Sequence, residues 1–327
     1  MRAVWFEALG PAADVLQVGT LDTPRPNTDE VLVRVHASGV NPSDTKKRAG
    51  WGGGGLEFPR IIPHSDGAGV IEAVGPNVDS GRIGQRVWIY NAQFGRADGT
   101  AAEYVALPSA LAVTLPDTTS FAAGACLGVP ACTAHNALFW NGPVDGLTVL
   151  VQGGGGAVSG YAIQLAVAAG ARVIATTSSP EKAELARRLG ADLTIDYKQE
   201  DVAAAVLEAT DGRGIDRIVE VDFGANAEID ARVLVAKGAI GTYSSTRRPR
   251  FEFDYYGFGY KGARINFVQV YMLSPAERAA AIGKLTSLMA QDRLTHSITE
   301  TYPLNRIADA HGAQEGQGRI GNIVVEI

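Results

Sequence analysis

The chain of 327 residues carries 35 acidic and 29 basic side chains, a net charge of −6, 46% hydrophobic content and two cysteines, Cys126 and Cys132. That length suits about two globular domains with full cores, and the acidic balance, with no long basic stripe, speaks against nucleic acid and other polyanions. Two cysteines make neither a disulfide framework nor a four-thiolate zinc site. A charge at Arg2 precedes any signal-length apolar run and no apolar stretch reaches about 18 residues, so a cytoplasmic protein without a membrane anchor is expected.

In chain order, the first third mixes Gly and Pro with short β-branched runs at 2–6, 31–37, 69–74, 86–90 and 104–107. Such spacing predicts an irregular, mostly antiparallel β domain. From Phe121 the texture becomes Ala-rich and helical to Phe139, interrupted at Gly128 and Pro130. Strand-like runs at 149–152, 172–176, 193–195, 215–221 and 239–243 then alternate with helical stretches at 161–168, 180–189, 201–209 and 226–236. This is the rhythm of a doubly wound parallel sheet, to which 265–270 adds a sixth strand. An amphipathic helix is expected at 275–290, and the tail 320–327 reads as a strand pairing back with the N-terminal domain. The nucleotide domain is then an insertion in the other.

The organising stretch is Val149 to Gln152 followed by Gly153-Gly154-Gly155-Gly156. Glycines let a backbone approach a pyrophosphate closely, and the unpaired amides of a helix N-terminus attract its charge. Gly153, Gly155, Gly156, Ala157 and Val158 are the candidate contacts. An Asp or Glu at the end of the second strand would bind the ribose diol of NAD. The sequence offers Thr177-Ser178-Ser179-Pro180-Glu181-Lys182 instead. Hydroxyls, a helix N-terminus and a lysine one turn on suit a phosphate, so NADPH is expected over NADH. The same residues also read as an ordinary N-cap, Ser179 before Pro180.

Several segments, taken in order and spacing, carry a resemblance: Gly39-Val40-Asn41-Pro42, Ser65-Asp66-Gly67-Ala68-Gly69-Val70-Ile71-Glu72, Gly84-Gln85-Arg86-Val87, Ala102-Glu103-Tyr104, Leu189-Gly190-Ala191-Asp192 and Ile195-Asp196-Tyr197. Nearly the whole chain resembles the medium-chain dehydrogenase/reductase superfamily and, within it, the zinc-free quinone oxidoreductases of zeta-crystallin type. The resemblance implies an α/β fold with a GroES-like, mostly-β catalytic domain at 1–123 and a Rossmann-type NADPH domain at 124–266. A C-terminal return at 267–327 completes the catalytic domain, and a homodimer forms by extending the parallel sheet through 265–270.

In the alcohol-dehydrogenase branch two thiolates and an imidazole hold a catalytic zinc; the matching positions are Asn41, Ser65 and Val129, which leave no metal site. His64, one residue before the imidazole position, reads as a partly exposed structural histidine. His311 reads as structural or exposed. By resemblance, Asn41 reaches the nicotinamide ribose, Thr133 the carboxamide, Gly156 and Val158 the pyrophosphate, and Ser178, Lys182 and Tyr197 the adenosine 2′-phosphate. Ser244, Phe267 and Val268 line the nicotinamide pocket, and Asn322 stands near a cofactor-contacting lysine position. Four departures stand out. Ser159 replaces the last glycine of the phosphate turn, which predicts local adjustment and an altered cofactor affinity, Lys46 a substrate-facing tyrosine, and His64 a glycine. The loop 51–55, Trp51 and four glycines, is expected to be flexible.

The implied chemistry is hydride transfer from NADPH to a quinone or another electron-poor conjugated acceptor, with Asn41, Lys46 and Thr133 as donors to the developing oxyanion. One alternative is a 2-enoyl or acryloyl thioester or 2-alkenal reductase, in which the basic turn Arg247-Arg248-Pro249-Arg250 meets a coenzyme A phosphate. Another is a crystallin-like or AU-rich RNA-binding role, which the acidic balance opposes.

Overall fold

The longest strand, Glu30–Val40, shows why the N-terminal third folds as it does: Val31, Val33, Val35 and Ala37 alternate into the core while Arg34 stays out. Their partners are Ile71, Val87, Ile89 and Leu107. The computed structural model describes all residues but Gly52 and Gln317, so Gly52 of the expected flexible loop lies outside the described residues.

The chain divides into two units, Met1–Pro130 with Ile282–Ile327, and Ala131–Ala281. These divisions fall later than the expected 123/124 and 266/267. Phe121–Gly124 packs on Glu30–Val40 and Asp66–Val74, which keeps it with the first unit. Past residue 267, the Arg278 guanidinium donates to the Val270 carbonyl, holding the start of helix Pro275–Ala290 to the second. The run 121–139 is broken as expected. A short helix is followed by a π-turn, Leu127–Ala131, containing Pro130, and helix Cys132–Phe139 follows.

In the first unit, Glu30–Val40 pairs antiparallel with Asp66–Val74, Tyr104–Pro108 and Asn322–Glu326. The last of these sets Ile323 opposite Val40 and Glu326 opposite Ala37. The tail therefore returns to the N-terminal sheet, and the second unit is an insertion. Ile298–Pro303 adds a parallel edge strand that hydrophobic pattern did not reveal.

The second unit holds a six-stranded parallel sheet. Its strands are β1 (Thr148–Val151), β2 (Arg172–Thr177), β3 (Leu193–Asp196), β4 (Ile215–Glu220), β5 (Leu234–Thr242) and β6 (Arg264–Phe267), ordered β3-β2-β1-β4-β5-β6. The connecting helices are α1 (Ala157–Ala168), α2 (Pro180–Arg188), α3 (Val202–Ala209) and α4 (Phe223–Val233). Leu150, Ile174, Ile195, Ile218 and Ile240 of the central strands form one core with Val206, Phe223 and Ala227. Strand order reverses at β1, which is where a doubly wound sheet opens a crevice at its carboxyl ends. Two boundaries differ from expectation. The helix placed at 226–236 ends at Val233, because Leu234 is buried and pairs with Ile215 as the start of β5. The strand placed at 265–270 ends at Phe267, because Val270 turns inward and is held by Arg278.

Candidate cofactor and active site

The glycine turn joins β1 directly to α1. Gly153 has φ 70°, a conformation that favours glycine, and its amide donates to Thr176 Oγ1 at 2.9 Å. The Gly154 amide donates to the Thr176 carbonyl at 2.7 Å, and a Cβ at Gly154 would lie 2.9 Å from the Ala175 Cβ. A Cβ at Gly155 would lie 2.5 Å from Lys182 Cγ. Gly156 is the N-cap of α1, and no side chain caps that helix. Ala157 and Val158 thus sit in a first turn whose amides offer the partial positive charge an anion seeks. Ser159 is 1% exposed; its hydroxyl donates to the Gln152 carbonyl at 3.0 Å and meets the Tyr243 hydroxyl at 3.2 Å. The adjustment expected there takes the form of a bond tying α1 to the end of β1.

At the end of β2, Thr177 is buried and Ser178 half-buried, with no carboxylate on the strand end. Ser179 caps α2 through the Lys182 amide, and its hydroxyl also holds exposed Glu181. The Lys182 stem lies against Gly155, so the lysine flanks the turn rather than pointing away from it. A cavity of about 860 Å³ opens at the carboxyl ends of β1, β2 and β4, lined by Gln152, Gly153, Thr176, Tyr197 and Val221. Its far wall carries Arg247, Arg248 and Arg250. Arg247 Nε donates to Asp222 Oδ2 at 2.5 Å. The basic turn set aside for a coenzyme A phosphate therefore faces the dinucleotide crevice.

Of the remaining expected contacts in this unit, Ser244 accepts the Phe223 amide through its carbonyl at 3.0 Å. Val268 donates to the Thr242 carbonyl at 2.7 Å, and Phe267 is 73% exposed beside them. These three lie at the carboxyl ends of β5 and β6. Thr133 is buried in helix Cys132–Phe139, which packs on β4 and β5.

In the first unit, Asn41 and Val129 converge on one atom. Asn41 Nδ2 and the Val129 amide donate to Asp66 Oδ2 at 2.8 and 2.7 Å. The Asn41 amide also donates to Asp44 Oδ2 at 2.8 Å, closing a capping box on helix Pro42–Arg48. Among the described residues no group of three or more His, Cys, Asp or Glu is placed to hold a metal ion. Lys46 Nζ lies 4.6 Å from the Trp51 ring centroid, a cation–π contact. The Asn322 side chain donates to the Ser297 carbonyl at 3.2 Å. His64 is not partly exposed but fully buried, as is His311; their Nε2 atoms lie 2.9 Å apart and Ser38 meets His64 Nδ1 at 2.7 Å. His64 has φ 78°, which explains why a glycine suits that position. Both cysteines are buried and neither forms a disulfide, and burial pushes the Cys126 thiol pKa up, as inert core residues should behave.

Residues 27–117 match the alcohol dehydrogenase GroES-like domain and 157–285 the zinc-binding dehydrogenase domain. The human quinone oxidoreductase is 31% identical over 99% of this chain and 97% of its own. The chain belongs to the quinone oxidoreductase family of the medium-chain dehydrogenase/reductase superfamily. A mycobacterial structure solved as a complex with NADPH matches this quinone oxidoreductase family member with a TM-score of 0.88 and 27% identity, covering 100% of both chains. A structure described as an NAD-dependent alcohol dehydrogenase matches with a TM-score of 0.89 and 28% identity over 100% of both. The protein is thus an oxidoreductase. Among the described residues no helix is long and apolar enough to cross a membrane.

Sequence reasoning missed Gln152 and Thr176 on the cavity wall, Asp222 beneath Arg247, and Asp44 and Asp66 beside Asn41. Asp66 carried a signal, standing next to Ser65 in the quoted motif. Asp44 carried one too, three residues after Asn41 at the box position. Asp44 is also a titrating group. Burial, countered by the Asn41 amide and reinforced by the Asp66 charge, pushes its pKa to about 8. A folded pKa above the unfolded value gives stability that is present at low pH and lost as pH rises through about 8. Asp44→Asn, which mimics the neutral acid, is therefore expected to match the native protein near pH 4 and to pull ahead as pH rises, its lead growing by about 2–3 kcal/mol between pH 6 and pH 8. Urea midpoints at pH 6 and pH 8 read this, and a gap that does not change with pH overturns it.

Proposed function

We propose that the protein transfers a hydride from NADPH to a quinone or another electron-poor conjugated acceptor, without zinc. The observation that carries the cofactor is the uncapped N-terminus of α1 behind a glycine turn, flanked by Lys182 and facing a strand end with no carboxylate. In this reading Gly153, Gly155, Gly156, Ala157 and Val158 hold the pyrophosphate, while Ser178, Ser179, Lys182 and Tyr197 hold the 2′-phosphate. The mycobacterial NADPH complex supports the choice; the absence of an acid at the end of β2 weighs against the NAD of the alcohol dehydrogenase neighbour. Ser244, Phe267, Val268 and Thr133 orient the nicotinamide end. Asn322 is bound to Ser297 and serves by holding the last strand.

The bound nicotinamide supplies the hydride. On the acceptor side, Asp66 fixes the Asn41 amide so that its nitrogen end is defined, and Asn41 and Lys46 donate to the oxygen on which charge develops. Asn41, Ser65 and Val129 are not thiolates or imidazoles, and the first and third are committed to Asp66, which supports zinc independence. Without a Lewis acid the acceptor must be activated by its own conjugation. The relatives' name supports a quinone over an enoyl thioester, and the arginine turn, occupied at the dinucleotide crevice, no longer favours coenzyme A. Exposed Phe267 on the edge strand β6 supports a homodimer formed by extending the sheet.

NADPH oxidation with 1,4-benzoquinone, 9,10-phenanthrenequinone, an alkenal and crotonyl-CoA tests this, with turnover expected for the quinones in the presence of a chelator. Measurable NADPH binding with no oxidation by any quinone overturns the activity. Lys182→Ala is expected to weaken NADPH by roughly 10- to 100-fold, the scale of one lost charge-assisted bond, and NADH by less than about threefold. Equal losses would remove Lys182 from the 2′-phosphate site.

A further inference from the structure

A buried pair of carboxyl groups lies behind the dinucleotide crevice: Glu220 at the end of β4 and Asp230 on α4, both 0% exposed. Glu220 Oε2 and Asp230 Oδ2 are buried without a hydrogen-bond partner among the described residues, and the two carboxyl groups lie close enough for each to shift the other. Two interacting carboxyl groups in a fully buried site do not both carry charge, so one of the pair is neutral. Burial and the neighbouring Glu220 charge push Asp230 well above the carboxylate range, whereas Glu220, raised to about 7 mainly by burial, accepts from the Asp222 amide and from Asn226 Nδ2. Glu220, which accepts two hydrogen bonds to the one on Asp230, thus carries the charge and Asp230 the proton.

Polar contacts run outward from this pair to both walls of the cavity. On one side, Gln152 Nε2 donates to Asp230 Oδ1 at 3.2 Å, and Thr176 Oγ1 donates to Gln152 Oε1 at 2.8 Å. Thr176 in turn receives the Gly153 amide at 2.9 Å. On the other, Glu220 holds the Asp222 amide, and Asp222 holds Arg247 through its side chain. We infer that Glu220 and Asp230 are positioning residues that fix the glycine turn and Arg247 relative to each other across the dinucleotide crevice. An amide such as Gln152 can face two ways; a proton held on Asp230 Oδ2 leaves Oδ1 as acceptor and selects one of them. That orientation presents Oε1 to Thr176 and so aims the Thr176 hydroxyl oxygen at Gly153.

The inference rests on the NADPH reading above and is tested with isosteric variants. Asparagine at 230 keeps an oxygen for Gln152 and puts a permanent donor beside Glu220, whereas leucine of similar size removes both. The dissociation constants of NADPH and NADH are measured at pH 8 by nucleotide fluorescence, well below the melting midpoint of each variant. Asp230→Asn is expected within about threefold of the native protein. Asp230→Leu, or Asp230→Ser if leucine does not fold, should be at least tenfold weaker for both nucleotides, because the turn they share is misaligned. Unchanged binding in the leucine or serine variant overturns the inference, as does an asparagine variant as impaired as leucine. Failure of the native protein to bind NADPH would instead sink the cofactor reading.

Discussion

Gly155→Val is expected to raise the dissociation constant of NADPH by at least 100-fold, about 2.7 kcal/mol, while leaving the chain folded. A Cβ at this position would already meet Lys182 Cγ at 2.5 Å and Lys182 Cβ and Cδ at 2.8 Å. Valine adds two methyl groups beyond that, so the lysine stem must leave the turn. The same methyl groups fill the space through which a pyrophosphate reaches the α1 amides. Phosphate contacts on both sides of the turn are lost in one substitution. The control is Gly283→Ala on helix Pro275–Ala290, where a Cβ meets nothing within 4 Å. It should stabilise the fold by roughly 0.5–1 kcal/mol and leave NADPH affinity alone. A Gly155→Val protein that binds NADPH within about threefold of the native one would show that this turn does not carry the pyrophosphate.

His311→Gln should cost stability at alkaline pH and become stabilising in acid. His311 is fully buried, and burial, with the nearby Arg48 charge, lowers its pKa to about 3. Its folded pKa lies below the unfolded value, so the unfolded chain binds the proton first. The stability this residue supports is present above about pH 6.5 and lost as pH falls toward 3, at roughly 1.4 kcal/mol per pH unit. At pH 8 the variant loses the bond to His64 and should be about 1–3 kcal/mol less stable. By pH 5 that deficit should have vanished or reversed. His64, lowered by burial and by His311, acts in the same direction, whereas Asp44, Glu220 and Asp230, all raised, act in the opposite one. The absolute profile mixes these groups; the difference between variant and native protein isolates His311. A difference independent of pH from 8 to 5 would mean that His311 has the same pKa folded and unfolded, and that burial does not hold it neutral.

Much of the fold was legible because its signals are local. β-Branched runs at period two, an apolar run ending in four glycines and a helix opened by Ser179-Pro180 each depend on a few adjacent residues. Errors fell where distant partners decide an end: Leu234 extends because Ile215 pairs with it, and β6 stops because Arg278 holds Val270. The edge strand Ile298–Pro303 has mostly exposed side chains and so no apolar alternation to read.

The candidate site divides in the same way. By itself the sequence determined the parallel α/β unit, the glycine turn at 153–156, the missing acid at the end of β2 and the loss of thiolate and imidazole at 41, 65 and 129, since each is a residue type at a position in a local motif. Only the tertiary structure decided that Gln152 meets Asp230, that Arg247 meets Asp222 and that His64 meets His311, across 78, 25 and 247 residues of chain. Such pairs are set by strand order, by register and by which buried polar group lacks a partner. No local period in a single sequence encodes those quantities.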